Sequence, residues 1–134
     1  MRVYLAAKYH ADGRNRPLVE AILEGLEAAG HKTIFVQRDL ERWGEVVLLP
    51  TELMRQSLSL IATCDLVLVE LSEKGVGVGL EAGYAYALGK PIVTIARTGA
   101  DVSETLWGIS SCAVHYHKLQ DLKKLFGSLE RFTR

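Results

Sequence analysis

The chain has 134 residues, of which 49% are apolar and 24% charged, and Lys+Arg and Asp+Glu both number 16, so the formal net charge is zero. That length suits one domain, expected to span residues 1–134 around one core. The balanced charge excludes the basic field that draws a protein to nucleic acid or a membrane surface, so the expected partner is a small molecule, with no nucleic-acid polymer and no membrane.

Arg2 to Ala7 reads as the first strand. Residues 8–16 form a polar loop carrying Lys8, Tyr9, His10, Asp12 and Arg14. Pro17 then suits the first turn of a helix whose Leu18, Ile22 and Leu26 share one face, with Gly30 as its stop. Thr33 to Val36 reads as the second strand. Trp43-Gly44 looks like a turn, and Val46 to Leu49 as a short strand or a buried loop. A helix follows from Pro50 to about Thr63, with Thr51 as a plausible N-cap. Leu53, Ser57, Leu60, Ile61 and Cys64 form its inner stripe, so Ser57 is expected to face inward.

Leu66 to Leu71 is a nearly unbroken apolar run, as expected of a strand buried on both faces. Gly75, Gly77 and Gly79 then mark a loop, and Leu80 to Leu88 reads as a helix closed by Gly89. This places Glu81 in the first turn, where backbone N–H groups and the helix dipole favour its ionised form. Pro91 to Ala96 is the next strand, Ser103 to Gly108 one or two helical turns with Ser103 as N-cap, and Ala113 to Tyr116 the last strand. Leu119, Leu122, Leu125 or Phe126, and Leu129 outline a final helix.

Strands alternating with helices predict a three-layer α/β/α sandwich on a five-stranded parallel sheet, in the flavodoxin-like, Rossmann-like order 2-1-3-4-5. In that order the loops after strands 1 and 3, residues 8–16 and 72–79, share one cleft at the carboxyl end of the sheet. No apolar run reaches the ~20 residues of a membrane span, and the chain opens on a strand pattern rather than a signal peptide, so a cytoplasmic protein is expected. Cys64 and Cys112 lack metal-type spacing and read as ordinary thiols. His115 and His117 read as strand-edge residues rather than ligands, and no metal or cofactor is expected.

The glycine segment has three readings. The glycines serve a tight turn, or they expose N–H groups to a phosphate or sugar at a helix start. Gly77-x-Gly79-x-x-Ala82 also fits a dinucleotide fingerprint, but it follows the third strand, and no acidic residue closes the next one. Glu81 likewise has two readings: a carboxylate at a helix start, or a nucleophile that attacks an anomeric carbon. Tyr9, His10 and Arg14 suit a base and a phosphate, or a solvated loop. No Gly-x-Ser-x-Gly elbow or Cys/His pairing points to a serine or cysteine hydrolase.

At Gly75-Val-Gly-Val-Gly-Leu-Glu-Ala-Gly-Tyr-Ala the sequence resembles the nucleoside 2-deoxyribosyltransferase family, which includes the 2'-deoxynucleoside 5'-phosphate N-hydrolases. The opening Val-Tyr-Leu-Ala, Cys-Asp-Leu-Val-Leu-Val-Glu-Leu-Ser, Ala-Leu-Gly-Lys-Pro-Ile-Val and Leu-Trp-Gly extend the resemblance along the chain. It implies cleavage of the N-glycosidic bond of a (deoxy)nucleoside or its 5'-monophosphate, with the sugar passing to a glutamate and then to another base or to water. On that resemblance Glu81 matches the nucleophile and Tyr4 a tyrosine beside it. Gly77 and Gly79 match the sugar- and phosphate-side backbone. Ser103 matches a serine given to the phosphate across a dimer interface. Homodimers or larger homo-oligomers with shared sites are implied. Two positions depart. Ser57 stands where the family carries an aspartate that handles the leaving base. Gly75 stands where transferases carry Asp and the phosphate hydrolases Ser. Either Asp12 or Glu52 fills in as the second acid, or the chain is a nucleotide-binding module of the same fold with weak or no activity.

Overall fold

The computed structural model describes residues 1–134. Five parallel strands, β1 (Arg2–Ala7), β2 (Lys32–Ile34), β3 (Leu66–Glu70), β4 (Ile92–Arg97) and β5 (Cys112–Tyr116), form one sheet in the order β2-β1-β3-β4-β5. The expected fold and strand order are therefore observed. β1 lies beside β3 with Val3 opposite Leu66 and Ala7 opposite Glu70, and β3 beside β4 with Val67 opposite Ile92. The central strands are buried on both faces, which is why β3 is apolar almost without alternation.

Successive side chains leave a strand on opposite faces. Val3 and Leu5 pack with Ile22, Leu23 and Leu26 of helix α1 (Arg16–Ala28) and with Phe126. Tyr4 and Ala6 point the other way. They join Ile61 of helix α3 (Pro50–Thr63) and Val78, Ala82 and Ala85 of helix α4 (Val76–Ala87). This alternation sets Tyr4 on the α3–α4 side of the sheet. A short helix α2 (Val36–Asp39) and a 3-10 turn (Arg42–Gly44) precede α3, and helix α5 (Glu104–Gly108) joins β4 to β5. Gly30 and Gly89, with φ of 92° and 72°, end α1 and α4 in the left-handed conformation that glycine adopts without strain. Ser103 caps α5 as expected, its Oγ accepting from the Leu106 N–H.

Several local expectations are corrected. α3 is preceded by Leu49, not capped by Thr51, because Pro50 begins the helix and leaves Thr51 inside its first turn. Val46 to Leu49 is neither strand nor buried: it is an irregular segment with Val47 and Leu49 exposed. β2 ends at Ile34, since Val36 already belongs to α2. The final helix is three short pieces, Leu119–Leu122, Lys123–Phe126 (α6) and Leu129–Phe132, with Gly127 and Ser128 between the last two. No helix is long and apolar enough to cross a membrane.

Candidate functional site

The largest correction concerns α4. It begins at Val76 with Gly75 as N-cap, and the Gly79 N–H already donates to the Gly75 carbonyl. Gly77 and Gly79 are therefore helical, not part of a loop, and Glu81 lies in the second turn. Val78, Ala82 and Ala85 supply a buried stripe at helical spacing, and tertiary packing along it outweighs the poor helix propensity of the glycines. The helix terminus thus does little for Glu81. Its surroundings do more. Burial pushes its carboxyl up to about 7, and a hydrogen bond from Tyr4 works in the opposite direction.

Tyr4, in the middle of β1 and buried on the α3–α4 side of the sheet, has Glu81 and Ser57 as polar neighbours, and burial and the Glu81 carboxylate hold the phenol strongly in its protonated form. Gly77 stands one turn before Glu81, and a Cβ added there would stand 3.9 Å from the carboxylate Oε1, an ordinary van der Waals contact. Ser57 faces inward as expected and is 2% exposed. Its hydroxyl donates to the Leu53 carbonyl at 2.7 Å, along its own helix rather than into a cleft.

The other flank of α4 lines the largest cleft, about 640 Å³, which contains Gly75, Gly79, Ser103, Thr105, Lys8 and Lys74. Glu81 is not among its lining residues. Residues four apart share a helix flank, so Gly77 and Glu81 look toward α3 and β1, while Gly75 and Gly79 look toward α5. Ser103 and Glu81 of one chain are thus separated by α4. The cleft has two lysines, two hydroxyls and no carboxylate in its lining, and the start of α4 has no side-chain cap. Such a set favours an anion. Lys8 Nζ donates to the Lys74 carbonyl at 3.1 Å, and Lys74 Nζ pairs with Asp101 at 3.0 Å.

The residues of the 8–16 loop are dispersed. His10 pairs with Glu73 at 3.1 Å, fastening this loop to the one before α4. Arg14 is paired with Asp12 at the surface. Tyr9 lines a small cleft with Asn15, Gln37, Glu41 and Trp43. Neither proposed substitute acid is suited to donating a proton at neutral pH. Arg55 and Gln56 pull Glu52 down to about 2, and Arg14 holds Asp12 below the usual carboxylate range. His115 stacks on Trp107, with ring centroids 4.8 Å apart, and no group of His, Cys, Asp and Glu is arranged to hold a metal.

Two features were missed in the sequence. Lys74 places a cation directly before a helix start, where the dipole disfavours it. It was not legible in the sequence, because the sequence placed that helix start at Leu80; in the structure Lys74 pairs with Asp101. Glu41 is, with Glu81, one of two carboxyls that burial raises. Its half-buried place depends on how the chain around the Trp43-Gly44 turn packs, which the turn signal alone does not give.

The nucleoside 2-deoxyribosyltransferase family model matches residues 3–121. The chain belongs to this family. A Thermofilum pendens protein, provisionally named 2'-deoxynucleoside 5'-phosphate N-hydrolase 1, is 29% identical over 101 residues, covering 72% of this chain and 68% of the relative. Among solved structures, the CMP N-glycosidase of Clostridium botulinum superposes with a TM-score of 0.68 at 22% identity, covering 93% of this chain and 98% of the other. The 2-deoxyribosyltransferase of Bacillus psychrosaccharolyticus gives 0.71 at 17% identity, covering 92% and 90%. The two structures establish likeness of fold. Family membership associates the chain with cleavage or transfer at the N-glycosidic bond of nucleosides or nucleotides.

Proposed function

We propose that this protein cleaves or transfers at the N-glycosidic bond of a (deoxy)nucleoside or nucleoside 5'-monophosphate, with Glu81 as nucleophile. The observation that carries this reading is the Glu81 carboxyl, raised by burial beside Tyr4, with Gly77 one turn before it. A Glu81 oxygen attacks the anomeric carbon, the C–N bond breaks, and its electron pair leaves with the base nitrogen, which takes a proton from solvent. The glycosyl ester then passes its sugar to water or to a second base and restores the carboxylate. Tyr4 donates to the carboxylate oxygen and fixes its direction.

The cleft lined by Lys8, Lys74 and Ser103 suits the 5'-phosphate of a monophosphate. Because Ser103 and Glu81 stand on opposite flanks of α4, a second protomer supplying its own Ser103 is the arrangement that the family resemblance implies. The outer face of α4 supports it: Val76 and Leu80, one turn apart, are 83% and 56% exposed.

The test is release of free base from deoxynucleosides and their 5'-monophosphates. Wild type should release base, and Glu81→Gln should not. Undiminished release by Glu81→Gln rejects the assignment. A second reading, a nucleotide-binding module with weak or no activity, is favoured by the placement of Ser57, whose hydroxyl cannot serve the leaving base as an acid. Saturable nucleotide binding without base release by the wild type selects that reading.

A further inference from the structure

Glu70 ends β3 on the face of the sheet opposite Tyr4 and α4. Leu66, Leu68 and Glu70 alternate toward α1, whereas Val67 and Val69 pack toward α3 and α4. Glu70 is buried, and its carboxylate accepts from two neutral donors, the Ser72 N–H on Oε1 and the Tyr116 hydroxyl on Oε2, both at 2.6 Å. A carboxylate has about four acceptor positions, so roughly half of its capacity stays open. A cleft of about 310 Å³ opens onto it. Ala7 stands opposite Glu70 on β1, and its small side chain leaves space beside the carboxylate. Helix α1 contributes Leu18 and Val19 to the lining, and the end of β4 contributes Arg97. The Arg97 side chain is exposed, and its N–H donates to Ser72 Oγ at 2.9 Å. It lies two residues beyond Ile95, the β4 neighbour of Glu70. Strand spacing puts the two Cα atoms about 8 Å apart.

The ion pairs of the chain include neither Glu70 nor Arg97. A buried carboxylate ordinarily has a cationic partner, and a free guanidinium is the side chain best suited to hold a carboxylate. This cleft presents the first at its floor and the second at its rim, unpaired with each other. Its volume lies at the small end of ligand sites. We propose that it binds a small zwitterion of amino-acid size, the ammonium on Glu70 and the carboxylate on Arg97. The site lies across the sheet from Glu81 and does not depend on the role of that residue. Ser72 and Glu73 line it while Lys74 and Gly75 line the anion cleft, so the two clefts meet across one short loop.

The test is a ¹H–¹⁵N NMR titration of the full chain with glycine, γ-aminobutyrate and ε-aminocaproate, whose two charges stand progressively further apart. Butylamine and butyrate, with one charge each, are the controls. At least one of the zwitterions should bind saturably, shift the amides of Ala7, Val19 and Thr98, and bind about tenfold or more tighter than either control, as expected when a charge-assisted contact is lost. Arg97→Ala changes an exposed side chain and should weaken that zwitterion by about the same factor, as should Glu70→Gln. Should Glu70→Gln fail to fold, butyrate makes the same comparison from the ligand side, since it lacks only the ammonium of γ-aminobutyrate. Absence of saturable shifts with all three zwitterions overturns the proposal. So does binding that is undiminished in Arg97→Ala, or that butyrate or butylamine matches. Base release without zwitterion binding would reject this site alone, and zwitterion binding without base release would reject the proposed activity alone.

Discussion

The Tyr4 hydroxyl faces the Glu81 carboxylate where β1 meets the second turn of α4, in surroundings dry enough to raise Glu81 to about 7. One residue thus depends on two opposing influences: burial disfavours its charge, and the Tyr4 donor supports it. The reactive form is the ionised one. Base release should therefore rise with pH through about 7 and level off above, falling ~10-fold per unit on the acid side. kcat/KM measured from pH 5.5 to 8.5 checks this, and a flat acid limb would separate Glu81 from the rate.

The same burial has a consequence for stability. Glu81 ionises near 4.5 when unfolded and near 7 when folded, so the native chain holds a proton across that interval that the unfolded chain has released. The stabilisation is fully present below 4.5 and is lost as pH rises through 7. Glu81→Gln has no such dependence. Relative to wild type it should gain on the order of 1–3 kcal/mol between pH 4 and pH 8. Urea unfolding of both proteins at the two pH values measures it.

Tyr4→Phe removes the donor that supports the ionised carboxylate. The acid limb of base release should move to higher pH, and activity at pH 7 should fall by about tenfold, as for loss of a charge-assisted hydrogen bond. Full activity at pH 7 with an unmoved acid limb would show that Tyr4 is only a packing residue.

Glu70, 4% exposed at the end of β3, accepts from the Ser72 N–H and from the Tyr116 hydroxyl, both at 2.6 Å. This contact ties β5 to the centre of the sheet, and burial pushes the Tyr116 phenol up to about 12. Tyr116→Phe leaves a buried carboxylate oxygen without that donor. A loss of about 1–3 kcal/mol is expected, read by chemical denaturation at neutral pH.

Leu80→Glu places a charge on the exposed outer face of α4, away from the buried stripe. The fold should be retained and self-association lost, as read by sedimentation velocity alongside circular dichroism. An unchanged oligomer would show that this face is not the interface.

The sequence by itself determined the layers and their order. β3 needed only its apolar run, α1 and α3 their inner stripes, and the helix ends at Gly30 and Gly89 only the positions of glycine, because these signals are local and periodic. It also singled out Glu81 and the glycines as one segment of the chain, whereas Tyr4 entered only through the family resemblance. What it misjudged was the start of α4: Gly77 and Gly79 read as loop, and only the fit of Val78, Ala82 and Ala85 against the sheet makes them helix. That one difference moved Glu81 away from the helix terminus and beside Tyr4, and it left Ser103 on the far flank. Those relations join residues from β1, α3, α4 and the β4–α5 connection, segments far apart in sequence, and distance along a chain carries no information about burial, which is the quantity that decides whether a carboxylate holds its charge.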